Sequence, residues 1–135
     1  MGIFPAHIRE EDKAVQTVME HCLMAAKIAG DALQGVGLKH TAYLAGLLHD
    51  MGKMTEEFRT YIQKAANGEP VRRGSVNHTF AGCRFLLENF HKSSSDPYSY
   101  VTSEILAYAV GAHHTRATNS PGSIFIERSS IKRGV

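Results

Sequence analysis

His21, His49, Asp50, His78, His113 and His114 carry the chemistry this sequence could perform. Neutral imidazole and carboxylate are ligands for divalent transition ions such as Mn, Fe, Co, Ni or Zn. A set so rich in nitrogen does not suit Mg or Ca, which want oxygen. The central pair is His49-Asp50. It closes the run Tyr43-Leu44-Ala45-Gly46-Leu47-Leu48 and is followed by Met51-Gly52-Lys53. A carboxylate and an imidazole at the edge of a core are costly without a partner. One reading is a buried His–Asp ion pair. The other is two ligands of a metal site, with Asp50 able to bridge to a second ion. The other histidines, placed on helices or near helix ends, favour the metal site.

Each candidate needs an element to hold it. Residues 1–11 read as an irregular lead-in. A long helix over about 12–34 follows, with Val15, Val18, Met19, Cys22, Ala25, Ala26 and Ala29 at three- and four-residue spacing and His21 at the border of that stripe. Gly35-Val36-Gly37 stops it. A second helix over about 39–51 buries Tyr43, Leu44, Leu47, Leu48 and Met51, with Gly52 as its C-cap. Lys53 stands where a cation suits the negative end of the helix.

Thr55 is an N-cap for a third helix reaching about residue 66, with Glu56 and Glu57 in its first turn. A polar loop follows. Asn77 then reads as the cap of a fourth helix that has His78 in its first turn and Ala81, Phe85, Leu86 and Phe90 on one side. A Ser-rich surface loop leads to a fifth helix over about 98–112. That helix carries Val101, Ile105, Leu106 and Ala109 and ends in Ala112-His113-His114. From Thr115 the pattern dissolves, apart from Ile124-Phe125-Ile126 and a basic end. The expected fold class is all-α, a bundle of about five helices with an irregular C-terminal tail, in one domain over 1–135.

Composition bounds the rest. The chain has 135 residues, enough to bury roughly two-thirds of its unfolded surface around one core. Its formal net charge of +2 permits polyanion binding without requiring it. Arg72, Arg73 and Arg116 are the candidate contacts, beside nearby Tyr or Phe. Cys22 and Cys83 form no CxxC motif and read as small core residues, which fits a reduced, cytoplasmic setting. No apolar run is long enough for a membrane span. His40 and His91 read as surface histidines, and His7 has no assigned role.

The ordered set resembles the HD superfamily of metal-dependent phosphohydrolases. More narrowly, it is similar to the HD nuclease domain of the type I CRISPR-associated helicase–nuclease. The similarity runs over about residues 6–115. It is carried by Ala6-His7, by His21 within Gln16-Thr17-Val18-Met19-Glu20-His21, by Ala45-Gly46-Leu47-Leu48-His49-Asp50-Met51-Gly52-Lys53, by Phe58 and Tyr61, by Asn77-His78-Thr79 with Ala81-Gly82, and by Ala112-His113-His114. The resemblance implies two metal positions bridged by Asp50. His21 and His49 would hold the first, and His78, His113 and His114 the second. Two ions about 3.5–4 Å apart clamp a phosphodiester, activate a water and stabilise the leaving oxygen. Asp50 and Lys53 are then the catalytic pair, with Lys53 near the phosphate.

The same resemblance implies single-stranded DNA as substrate, and a helicase domain or subunit and the CRISPR RNA-guided surveillance complex as partners. No GxxxxGK[ST] motif occurs, so the helicase is expected on another chain or part. One departure stands out. The superfamily closes its ligand set with a further Asp, whereas this chain's aspartates are Asp12, Asp31, Asp50 and Asp96, and Glu127 is the only later carboxylate. The chain is therefore expected to be a fragment of a larger HD domain, with degeneration or substitution by Glu127 as alternatives. With the first position short of a ligand, a single ion on Asp50, His78, His113 and His114 is a further expectation. Alternative functions are an HD-type nucleotide phosphohydrolase and a catalytically inactive HD-fold interaction module.

Overall fold

The computed structural model describes residues 2–72, 74–92 and 95–113. His114, Arg73, Arg116, Ile124-Phe125-Ile126 and Glu127 lie outside the described residues. Two short strands, β1 (Pro5–Ile8) and β2 (Val15–Thr17), pair antiparallel, with His7 opposite Gln16 and Ile8 opposite Val15. Five α-helices follow: α1 (Val18–Ala32), α2 (Lys39–Leu48), α3 (Glu56–Ala66), α4 (Ala81–Leu86) and α5 (Pro97–Ala112). A 3-10 turn, Met51–Lys53, separates α2 from α3, and α4 runs into a π-helical turn, Leu87–His91. No described helix is long and apolar enough to cross a membrane.

The hairpin corrects two expectations at once. The lead-in is ordered, and the long helix begins at Val18 rather than near residue 12. Val15 matches the helical spacing, yet it lies in β2 and is exposed. The boundary is set by a capping box that the spacing does not register. Thr17 Oγ1 accepts from the Glu20 N–H, and the Glu20 carboxylate accepts from the Thr17 N–H.

The bundle has two apolar centres. Leu48, Leu86, Leu106, Ala107 and Val110 form one, among α2, α4 and α5. Ala6, Val18 and Cys22 form the other, where β1 meets α1, with Phe4 and Leu47 packed against it. Helices α1 and α2 come into backbone contact at Gly46. A Cβ there would stand 2.6 Å from Ala26 Cα, a distance no side chain tolerates.

Several faces differ from expectation. Helix α5 buries Ser103, Leu106, Ala107 and Val110, whereas Val101, Ile105 and Ala109 face outward. Ser103 is admitted because its hydroxyl donates to the Tyr100 carbonyl at 2.8 Å, so no polar group is stranded. Met19, Tyr43, Ala81 and Phe90 are also exposed. Gly52 is not a left-handed C-cap. Helix α2 ends at Leu48 with His49 as its cap, and the described glycines with positive φ are Gly37, Gly68 and Gly74. His78 lies in a turn ahead of α4, where Asn77 Oδ1 accepts from Thr79 N–H rather than capping the helix. His91 is no ordinary surface histidine. It stacks on Tyr100 at 3.8 Å, and its Nε2 is buried without a hydrogen-bond partner.

Helix α3 starts as expected, with Thr55 Oγ1 accepting from Phe58 N–H at 3.2 Å. Thr55→Ala leaves that donor unpaired and is expected to cost about 1 kcal/mol. A urea titration with a lower midpoint and an unchanged slope is the confirming result.

Candidate metal centre

Four separate segments deliver the site. The close approach of α1 and α2 at Gly46 brings His21, on the flank of α1, against His49, which caps α2. Asp50 follows directly, and the 3-10 turn folds Lys53 back over it, its N–H bonding to the Asp50 carbonyl at 2.9 Å. Gly52 in that turn lies against the His78 backbone, where any Cβ would run into the His78 carbonyl. His113 arrives as the cap of α5. Phe58, 3% exposed, packs beneath, its ring 5.0 Å from that of His78 and 5.6 Å from Lys53 Nζ.

Asp50 is the hub. It is 2% exposed, and each of its oxygens has its own neighbours. Oδ2 lies 3.0 Å from His21 Nε2, 3.3 Å from His49 Nε2 and 2.8 Å from Lys53 Nζ. Oδ1 lies 3.3 Å from His113 Nε2 and 3.9 Å from His78 Nε2. The structure thus brings together His21, His49, Asp50, Lys53, His78 and His113. His114 is outside the described residues.

The backbone orients these rings. Nδ1–H of His49 donates to the Gly46 carbonyl at 2.6 Å, and Nδ1–H of His113 donates to that of Val110. Nδ1–H of His78 donates to the Val76 carbonyl at 3.3 Å. These tautomers follow from the partners: a ring nitrogen facing a carbonyl must carry the hydrogen. In all three rings Nε2 is then the atom turned toward Asp50, which is how an outer hydrogen bond presets a ligand.

The donor set fits a metal ion. His21 Nε2, His49 Nε2 and an Asp50 oxygen lie within 4.8 Å of one another. The two nitrogens are 3.1 Å apart, and Oδ2 lies 3.0 and 3.3 Å from them. Adjacent ligands around an ion with bonds near 2.1 Å are separated by about 3 Å. Two imidazoles and one carboxylate suit divalent transition ions and leave coordination positions open. The triangle also needs a cation or a ring hydrogen in its middle, because lone pairs of nitrogen and oxygen otherwise face each other. Protons share that role without a metal: the hydrogen bond to Asp50 raises the His49 imidazole, although burial opposes it. Metal binding displaces such protons.

The remaining electrostatics keep ligands in the form a cation needs. Burial pushes the Asp50 carboxyl up, but hydrogen bonds from His113, His49 and Lys53, with the Lys53 charge, overcome it and hold it well below the usual carboxylate range. Burial pushes His21 and His78 down, favouring neutral rings, with Asp50 opposing in both. His7 stands at the rim, its ring edge-on to His21 at 5.0 Å.

Sequence reasoning named the side chains that meet here and missed what brings them together. Gly46 and Gly52 work by letting backbones meet, and Phe58 closes the underside. The only sequence signal for them is their position within the run that ends in Lys53 and the helix that follows.

A model of the HD domain family matches residues 18–131. No curated protein and no solved structure matches the chain.

Proposed function

The chain belongs to the HD domain family, and from that premise we propose that it cleaves the phosphodiester bonds of single-stranded DNA. Family membership makes it a metal-dependent phosphohydrolase. The observation that carries the reading is the meeting of His21, His49, His78 and His113 on the two oxygens of one buried aspartate. His21, His49 and Asp50 would hold a divalent ion, Mn, Fe, Co or Ni, while His78 and His113 flank the other oxygen. Such an ion polarises water and offsets charge developing on a phosphoryl group.

The protein's own groups supply the rest. Asp50, kept ionised, holds the negative charge that fixes the cation. The carbonyls of Gly46, Val76 and Val110 hold three rings in place. Lys53 adds a positive charge beside the site, where a phosphate would arrive. The imidazoles keep between 17% and 24% of their side-chain surface exposed, so the centre opens to solvent along one side. An open edge suits a polymer that must lie across it. A helicase and an RNA-guided complex that deliver such a strand are the proposed partners.

The test pairs metal content with substrate choice. Mn-loaded protein is expected to cut a single-stranded oligonucleotide, and a chelator is expected to stop it. At an ion concentration a hundredfold above Kd, binding should add about 2.7 kcal/mol to stability, read as a higher Tm. Phosphate release from mononucleotides without strand cleavage would replace this reading with nucleotide hydrolysis. Loaded protein inactive on both would leave an interaction module.

A further inference from the structure

We propose that the groove along the β1–β2 hairpin, lined by His7, Arg9 and Gln16, seats the phosphate and sugar of the nucleotide next to the bond being cut. The inference rests on the single-strand reading above and adds where that strand lies.

Backbone geometry turns His7 toward the metal centre. Pro5 pairs with Thr17 and His7 with Gln16, so β1 takes two steps where β2 takes one. The extra residue is Ala6, which is 1% exposed and packed with Val18 and Cys22. A bulge of this kind re-aims the side chain beside it. Here the His7 ring lies edge-on to His21, with 5.0 Å between centroids. His21 is itself fixed one turn into α1 by the Thr17–Glu20 capping box. His7 therefore belongs to two places at once, touching a residue of the metal centre and lining the groove.

The groove has a volume of about 450 Å³, and its walls are His7, Ile8, Arg9, Ala14, Val15 and Gln16. Its polar side chains are an imidazole, a guanidinium and an amide, each able to donate a hydrogen bond to an anion. His7 and Gln16 stand opposite each other across the strand pair. The present partners of these donors compete weakly. Arg9 pairs with Asp12 at 3.0 Å, yet both side chains are more than half exposed, where an ion pair is worth little. Gln16 Nε2 donates to the Met24 sulfur at 3.7 Å, a poor acceptor. A phosphate offers both of them a charged oxygen instead. Ile8 and Val15, the latter 50% exposed, give the sugar an apolar wall. The groove is also preformed. The Arg9 N–H bonds to the Ala14 carbonyl at 2.9 Å and closes the turn, and the Val18 N–H bonds to the Phe4 carbonyl at 2.8 Å and ties the hairpin to α1. Lys13 Nζ donates to the Ala66 carbonyl at 2.8 Å and ties the tip to the end of α3. A strand laid here meets a surface already in place, so little ordering opposes binding.

The experiment measures binding of a short fluorescent oligothymidylate to the full chain by anisotropy, over a salt series and with a chelator present so that nothing is cut. Wild type is expected to bind the strand. In Arg9→Gln the slope of log K against log salt is expected to shrink by about 0.7, the value of one phosphate contact on a single strand. His7→Ala is expected to bind about tenfold more weakly, as when one hydrogen bond to a charged group is lost. Lys39→Gln removes an exposed cation near Gly30, at the far end of α1, and is expected to bind within about twofold of wild type, since salt screens so distant a charge. An unchanged slope in Arg9→Gln, or unchanged affinity in folded His7→Ala, would overturn the groove and leave strand cleavage standing. Should His7→Ala fail to fold, Gln16→Ala, across the hairpin, is judged by the same criterion. Wild type that binds no single strand, with chelator or with manganese, would overturn the reading on which the groove rests, and the groove with it.

Discussion

Asp50→Ala is expected to purify without metal, to lose strand cleavage and to unfold more readily than wild type by about 3–5 kcal/mol. Metal loss follows from geometry. Among the described residues, Asp50 is the one carboxylate within 4 Å of His21, His49, His78 and His113, and without it the triangle with His21 and His49 keeps no anionic corner. The loss of stability has a different origin. Lys53 stays buried in the variant with its counter-charge gone, and an uncompensated buried ammonium is what makes breaking such a pair costly. The two effects separate in a double variant. Asp50→Ala with Lys53→Met is expected to recover much of the stability and none of the metal. Chemical denaturation with metal analysis on the same samples checks both. A double variant as unstable as Asp50→Ala would show that the cost lies elsewhere.

Gly52→Ala, one methyl group, is expected to be nearly as damaging to the site. The added Cβ has no space, because the His78 carbonyl occupies it. Backbone cannot swing aside as a side chain can, so either the 3-10 turn or the segment carrying His78 must move. Overpacking of this kind costs about 1–3 kcal/mol. The displaced groups are Lys53 on one side and His78 on the other, so metal affinity is expected to fall by roughly tenfold or more, as when a supporting contact is lost. Ala is otherwise the better residue for a helical turn, and propensity alone would favour the substitution. Unchanged metal affinity in a variant as stable as wild type would sink this account.

Much of the site was legible because its chemistry is concentrated in side chains that rarely coincide. Imidazoles beside an aspartate at helix ends say what they could bind before any distance is known. Thr55 and the spans of α3 and α5 were also readable, since caps and spacing act locally. Faces were harder. In α5, Val101 and Ile105 are apolar and correctly spaced yet exposed, while Ser103 is buried by satisfying its hydroxyl within its own helix. Spacing shows that a stripe exists, and neighbours distant in sequence decide which stripe is covered. The hairpin escaped for a related reason. Four residues beginning with proline carry little strand signal, and β1 is held by β2 and by its burial against α1 and α3. The fourth helix begins about one turn later than Asn77 suggests, because Asn77 suits a cap and equally a tight turn. The distances inside the site depend on Gly46 meeting Ala26 and Gly52 meeting His78, and no local pattern encodes a meeting of two segments.

The bonds from His49 to Gly46 and from His113 to Val110 give each ring two employers. The final carbonyls of a helix have no amide to bond, and here an imidazole fills that vacancy on one edge while turning its Nε2 to Asp50 on the other. A carboxylate or thiolate substituted at either position could still grip a cation, but it has no hydrogen to offer the carbonyl, and the last turn of α2 or α5 would loosen. The choice of histidine at these two places is therefore dictated twice over, once by the buried carboxylate it faces and once by the helix that ends there.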